Sequence, residues 1–172
     1  MALASGLFKE IGENQKSPAL TLKKVNRELA RYLAQSNGLY VTAFYGIFLP
    51  EKREFLYGRA GHPAPILIRK NGDIETLESD GIFLGMYDDE SYEEKKISLG
   101  SGDRLILYTD GLTESCSESK EEYGLERLIH HSKMGSHFSI HQLHESILSD
   151  IQSFCGHHPI KDDQTLVLLE VQ

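Results

Sequence analysis

Two aspartates stand at matching ends of two apolar runs. Asp110 closes the run that begins at Arg104, and Asp162 opens the run that ends at Val171. Each run is short, rich in β-branched and aromatic residues and bounded by turn formers, which predicts two buried strands. If those strands lie antiparallel in one sheet, the C-terminal end of the first sits beside the N-terminal end of the second, and the two carboxylates share an edge. Carboxylates brought together in this way repel unless a cation holds them. The chemistry to expect is therefore that of an oxygen-ligated divalent metal. Read locally, Asp110 beside Gly111 is also an ordinary turn aspartate, and Asp162 a loop residue or cap.

The elements that must position these residues are legible in outline. Leu3, Leu7 and Ile11 recur at helical spacing. Ser17-Pro18 then offers an N-cap with proline in the first turn of a second helix, carrying Leu22, Val25, Leu29 and Tyr32 and closed by Asn37-Gly38. Residues 40–49 are apolar on both alternating faces, as expected of a strand packed on two sides, and Pro50-Glu51-Lys52 turns the chain. Further strands are predicted over 54–59, 65–69, 74–77 and 92–99, with Asn71-Gly72 a hairpin signal and Gly100 and Gly102 marking the turn before the Asp110 strand. Helical periodicity follows over 121–133 and 140–154, and the last strand covers 165–171. Strands grouped together with helices at the flanks indicate an α+β domain, most simply a sheet sandwich with helices outside it.

Composition narrows the function. A chain of 172 residues with 40% hydrophobic content suits one globular domain. A net charge of −8 disfavours nucleic acid and suits a protein that recruits cations. Cys116 and Cys155 show no metal or redox spacing, which points to a reducing, cytoplasmic setting. No apolar stretch approaches the ~20 residues that span a bilayer, and the first residues lack the charged start of a signal peptide.

Four signals stand in order: Ala60-Gly61-His62-Pro63 with Pro65; Gly81 to Gly85; Gly102-Asp103 leading to Thr109-Asp110-Gly111 and Glu114; and Asp162-Asp163-Gln164-Thr165. Together they resemble the metal-dependent protein serine/threonine phosphatases of the SpoIIE/RsbU type, a branch of the type-2C (PPM) superfamily, over essentially the whole chain. The resemblance implies an α+β fold, a two-sheet antiparallel β-sandwich flanked by helices, with two Mn²⁺ or Mg²⁺ ions at one end. It implies that Asp110 and Asp162 are metal ligands, with Asp163 orienting the loop or serving as the ligand in a register shifted by one. Carboxylates without cysteine or clustered histidine suit such hard ions better than zinc. Gly61, His62, Gly85 and Gly111 are expected to shape loops near the site. His62 does not match the histidine usually invoked as general acid in the wider superfamily. Family members open with a strand carrying a Gly-Asp metal motif, whereas this chain starts at the helix that comes later. A single phosphatase domain over residues 1–172, lacking its N-terminal part and half of the ligand set, is therefore expected.

The implied function is dephosphorylation of a protein partner in bacterial signalling, a phosphorylated anti-sigma-factor antagonist in sigma-factor regulation, impaired here by the missing ligands. The alternative is a catalytically silent interaction module on the same fold. An uncovered sheet edge left by missing strands would favour a homodimer. Other features carry less. His137, His141 and His144 read as a solvated helix face, residues 88–94 as a charged turn rather than a calcium loop. Ser115 lacks the Gly-x-Ser-x-Gly context of a nucleophile.

Overall fold

The computed structural model describes residues 2–34 and 38–172. In chain order it contains helices α1 (Ala2–Gly12) and α2 (Pro18–Leu33), then strands β1 (Ala43–Leu49), β2 (Glu54–Ala60), β3 (Ile66–Ile68), β4 (Ile74–Thr76), β5 (Lys95–Ser98) and β6 (Arg104–Tyr108). Helices α3 (Asp110–Thr113), α4 (Gly124–Met134) and α5 (Ile140–Cys155) and strand β7 (Leu166–Glu170) complete it. The chain forms two compact units, Met1–Ala64 with Glu78–Leu99, and Pro65–Leu77 with Gly100–Gln172. Each unit holds one antiparallel sheet, β1-β2-β5 in the first and β4-β3-β6-β7 in the second. The α+β class with two antiparallel sheets and helices is as the sequence predicts. Among the described residues no helix is long and apolar enough to cross a membrane.

In the first unit the side chain of Ser17 accepts a hydrogen bond from the Leu20 amide, and Pro18 occupies the first turn of α2, so the helix starts where its cap dictates. Leu22, Val25 and Leu29 bury one stripe of α2 against Ala4, Ala60, Leu84 and Tyr92. Asn37, expected to close this helix, lies outside the described residues. The expected strand over 92–99 shortens to β5. Tyr92 packs into the core instead, and the Glu93 amide donates to the Asp80 carbonyl rather than to a sheet partner.

Strand β1 is the uncovered edge to be expected from the two apolar faces of residues 40–49: no residue of it is fully buried, and Phe48 is 40% exposed. The reason is its place: β1 pairs with β2 alone and is an edge strand of its sheet among the described residues. Apolarity on both faces reports that a strand expects cover, not that the cover is present.

In the second unit Asn71-Gly72 forms the predicted hairpin. Ile68 pairs with Ile74, the Gly72 amide donates to the Arg69 carbonyl, and Gly72 adopts φ +89°, where a side chain would be strained. Ile66, Ile68, Ile106 and Tyr108 of the sheet pack against Leu128, Leu143, Ile147 and Ile151 of α4 and α5. Helix α4 begins at Gly124 rather than at residue 121, because Glu122 bridges to Cys116 and the Tyr123 amide donates to Ser115 O. Ser139 and Gln142 form a reciprocal capping box at the start of α5. That cap leaves His137 outside the helix, and His141 faces solvent in an exposed pair with Glu145, so the three histidines do not converge.

The turn before β6 is held by a buried carboxylate. Asp103 accepts hydrogen bonds from the amides of Gly100 and Lys70 and from Arg69. Burial alone would raise its pKa, but these donors and the Arg69 charge outweigh burial and hold the carboxyl below its usual range. A depressed folded-state pKa contributes stability that is present above the unfolded value, ~3.9, and is lost as pH falls through the folded value. Asp103→Asn is therefore expected to cost about 1–3 kcal/mol at neutral pH and to flatten the fall in stability below pH ~4. Urea unfolding of both proteins from neutral pH into the acid range measures this. Parallel acid limbs would show that the carboxylate does not act as described.

Candidate metal centre

The β6–β7 pairing brings the two aspartates to one end of one sheet. Tyr108 lies opposite Leu166, so the chain leaving β6 and the chain entering β7 run side by side. Thr109 locks them: its amide donates to the Thr165 carbonyl, and its hydroxyl donates to the Asp163 carbonyl while accepting from the Thr165 amide. Asp110 then opens the single turn of α3, and Asp162 stands just before the locked residues. Gly111 lets the two loops touch, because a β-carbon there would lie 2.5 Å from the Asp163 carbonyl oxygen.

A second knot lies behind this contact. Ser115 donates to the Gly111 carbonyl at 2.7 Å, and the Gln164 amide group donates to Ser115 Oγ at 2.6 Å and to the same carbonyl at 3.3 Å. The motif on either side of Asp110 is thus fastened to the motif following Asp162 by side chains as well as backbone. Sequence reasoning considered Ser115 only as a nucleophile and passed over Gln164. Their spacing from Asp110 and Asp162 was visible, but their mutual contact depends on the long-range pairing of β6 with β7.

Both carboxylates are exposed, and each uses Oδ1 to accept from the next amide, Gly111 for Asp110 and Asp163 for Asp162. No other hydrogen bond engages either carboxylate among the described residues. In kind this donor set fits a hard divalent ion. In number it is partial: among the described residues no three His, Cys, Asp or Glu side chains are gathered so as to hold a metal.

Gly61, His62 and Gly85 belong to the other unit. Gly61 adopts φ +65° with Phe83 where a β-carbon would go. His62 Nδ1 lies 3.1 Å from Thr42 Oγ1, and its carbonyl accepts from Arg59. The Gly85 amide donates to Asn26 Oδ1, whose amide group donates to the Tyr87 carbonyl. Asn26 is fully buried on α2, so this side chain, which sequence reasoning missed, fixes the Gly81–Gly85 loop. An amide between Val25 and Leu29 on an apolar stripe was the available signal.

The Stage II sporulation protein E (SpoIIE) family matches residues 1–172. The phosphoserine phosphatase RsbU of Bacillus subtilis (strain 168) is 31% identical over 156 residues, covering 88% of this chain and 44% of RsbU. The chain therefore spans less than half of that relative. Among solved structures, the SiaA-PP2C domain of Pseudomonas aeruginosa matches with a TM-score of 0.87 at 17% identity, covering 99% of this chain and 68% of the other. The Mn-presoaked phosphatase domain of SpoIIE from Bacillus subtilis matches with a TM-score of 0.66 at 16% identity, covering 98% and 73%. At these identities the structural likeness is one of fold.

Gly111→Ala is expected to force the two loops apart and to destabilise the chain by about 1–3 kcal/mol. Asp110→Asn, at an exposed position, is expected to leave the urea midpoint unchanged while weakening Mn²⁺ binding. Urea unfolding and a Mn²⁺ titration followed by electron paramagnetic resonance check both. An unperturbed Gly111→Ala protein, or an Asp110→Asn protein that binds Mn²⁺ like the parent, contradicts the arrangement.

Proposed function

The chain belongs to the SpoIIE family of PPM-type protein phosphatases, and from that membership we propose that it is a divalent-metal-dependent module acting on phosphoserine or phosphothreonine of a protein partner. The observation that carries the reading is the fastening of the Asp110 loop to the Asp162 loop at one sheet end through Thr109, Gly111, Ser115 and Gln164. Asp110 and Asp162 would hold the ions, Mn²⁺ or Mg²⁺, and Asp163 would shape the loop between Asp162 and Gln164. Such ions, when bound, lower the pKa of a water and neutralise phosphoryl oxygens. The chain's own contribution is to present two carboxylates from separate loops with their backbones immobilised, so that binding does not have to order them.

The finer parts of the reading extend it. The proposed substrate is a phosphorylated anti-sigma-factor antagonist, in keeping with the relative named phosphoserine phosphatase RsbU. A cytoplasmic setting accords with two free cysteines. One domain over residues 1–172 accords with the family match to the same residues. A second copy is a proposed partner, since β1, apolar on both faces, lies at the end of its sheet among the described residues and exposes Phe48. The partial ligand set favours one competing reading, a silent interaction module on the same fold.

Residues 1–172 alone are expected to turn over phosphoesters slowly or not at all, even with millimolar Mn²⁺. Activation by two ions needs both fixed ~3.5–4 Å apart, and two carboxylates do not complete their shells. The assay is release of phosphate from a small aryl phosphate and from a phosphoserine protein, with Asp110→Asn as control. Robust turnover that Asp110→Asn abolishes would show that these residues suffice. Turnover restored only when further residues are joined to the N-terminus would establish the phosphatase with an externally completed site. Inactivity of both forms would favour the silent module.

A further inference from the structure

The chain has two cysteines, far apart in sequence, and the fold places both on one cavity. This cavity, of about 100 Å³, is bounded by Gly111, Cys116, Cys155, His158 and Asp162 among others. Cys155 is buried at the last position of α5, while Cys116 is half-buried in the loop after α3 and donates to the Glu114 carbonyl. Burial pushes the Cys155 thiol up, a hydrogen bond with the Ser115 side chain opposes that shift, and the charge of Cys116 adds to it. Both thiols line this one cavity together with Ser115, and Cys116 directly follows that Ser115, whose side chain holds Gly111 and Gln164.

We propose that Cys116 and Cys155 are a peroxide-reactive thiol pair whose disulfide reorganises the Ser115 knot behind Asp110 and Asp162. Cys116 reacts first, being the more accessible sulfur. Its thiolate attacks one oxygen of hydrogen peroxide, the O–O bond breaks, and Cys116 sulfenic acid and hydroxide form. Cys155 gives up its proton and its sulfur attacks the Cys116 sulfur; the S–O bond breaks and the departing hydroxide takes that proton as water. In balance, two thiols and one peroxide yield one disulfide and two waters, the sulfurs oxidised and the peroxide oxygens reduced. Forming the bond draws residue 116 towards the end of α5 and pulls the adjacent Ser115 with it. The partners of Ser115, the Gly111 carbonyl and the Gln164 side chain, then lose their common anchor. The modification site stands apart from the proposed phosphatase function, and only its effect on turnover rests on that reading.

The test treats the reduced full chain with hydrogen peroxide at low protein concentration and maps peptides by mass spectrometry without reduction. Hydrogen exchange is followed in residues 109–116 and 156–165, and phosphate release is measured in parallel. Expected is one intramolecular Cys116–Cys155 peptide, lost on adding dithiothreitol and absent from both Cys116→Ser and Cys155→Ser, with faster exchange in the two segments of the oxidised parent only. Cys116→Ser, at a half-buried loop position, keeps the test meaningful even where Cys155→Ser disturbs the core. Separate sulfinic acids or purely intermolecular disulfides would overturn the proposal, as would a linked peptide with exchange unchanged. A linked peptide with altered exchange in a chain that never releases phosphate supports the thiol pair while sinking the phosphatase reading. Phosphate release from a chain that forms no linked peptide does the reverse.

Discussion

The second unit depends on one register: Tyr108 opposite Leu166 in the antiparallel β6–β7 pair. Side-chain direction in a strand alternates with a period of two, so a slip of one residue would move Leu105 and Leu107 to the opposite faces and carry Asp110 away from the segment before β7. The register is held from both ends. Arg104 and Glu170 close one end with a 2.6 Å ion pair, and Thr109 closes the other through backbone and hydroxyl hydrogen bonds to residues 163 and 165. The hydrophobic contacts between the sheet and α4 and α5 decide which face of each strand is buried, and the terminal polar contacts fix the alignment within that pattern. Apolar packing is non-directional, whereas the terminal polar contacts are satisfied in one alignment only.

That division explains what could be read from the chain. Asp110 and Asp162 were visible as candidates because turn formers bound their strands, and local rules also revealed the Asn71-Gly72 hairpin and the cap at Ser17. Each of these signals lies within a few residues of its consequence. The roles of Ser115, Gln164 and Asn26 escaped notice because each depends on a contact distant in sequence, 49 residues between Ser115 and Gln164, and 59 and 61 residues from Asn26 to Gly85 and Tyr87. A polar side chain with a distant partner has no periodic signature. The exposure of β1 was legible, since two apolar faces record the need for cover, but the source of that cover was not.

The polar residues that were missed share one task. Asn26 answers the amide of Gly85 and the carbonyl of Tyr87, and Ser115 with Gln164 answers the carbonyl of Gly111. In both places a side chain satisfies backbone groups at a glycine-bearing loop that has no sheet partner, where an unpaired buried group would cost about 1–3 kcal/mol. Glycine makes the close approach sterically feasible, and the amide or hydroxyl makes it specific. Loops that must hold a fixed shape outside regular structure need both, and in this chain the glycines and these polar side chains occur together.

The threonine at position 109 shows how little freedom remains. Its hydroxyl both donates to the Asp163 carbonyl and accepts from the Thr165 amide. Valine would keep the shape and strand propensity but leave both backbone groups without that partner, while serine would keep the hydrogen bonds with a looser side-chain rotamer. The two carboxylates are exposed and make only local contacts through Oδ1, so their own interactions cannot set their separation. It is set by the backbone to which they are attached, and the backbone is fastened at Thr109, Gly111 and Ser115. A third ligand arriving from elsewhere would therefore meet a pair whose spacing is already determined, and the strength of any metal site formed there would depend on how well that incoming group matches a geometry it does not itself impose.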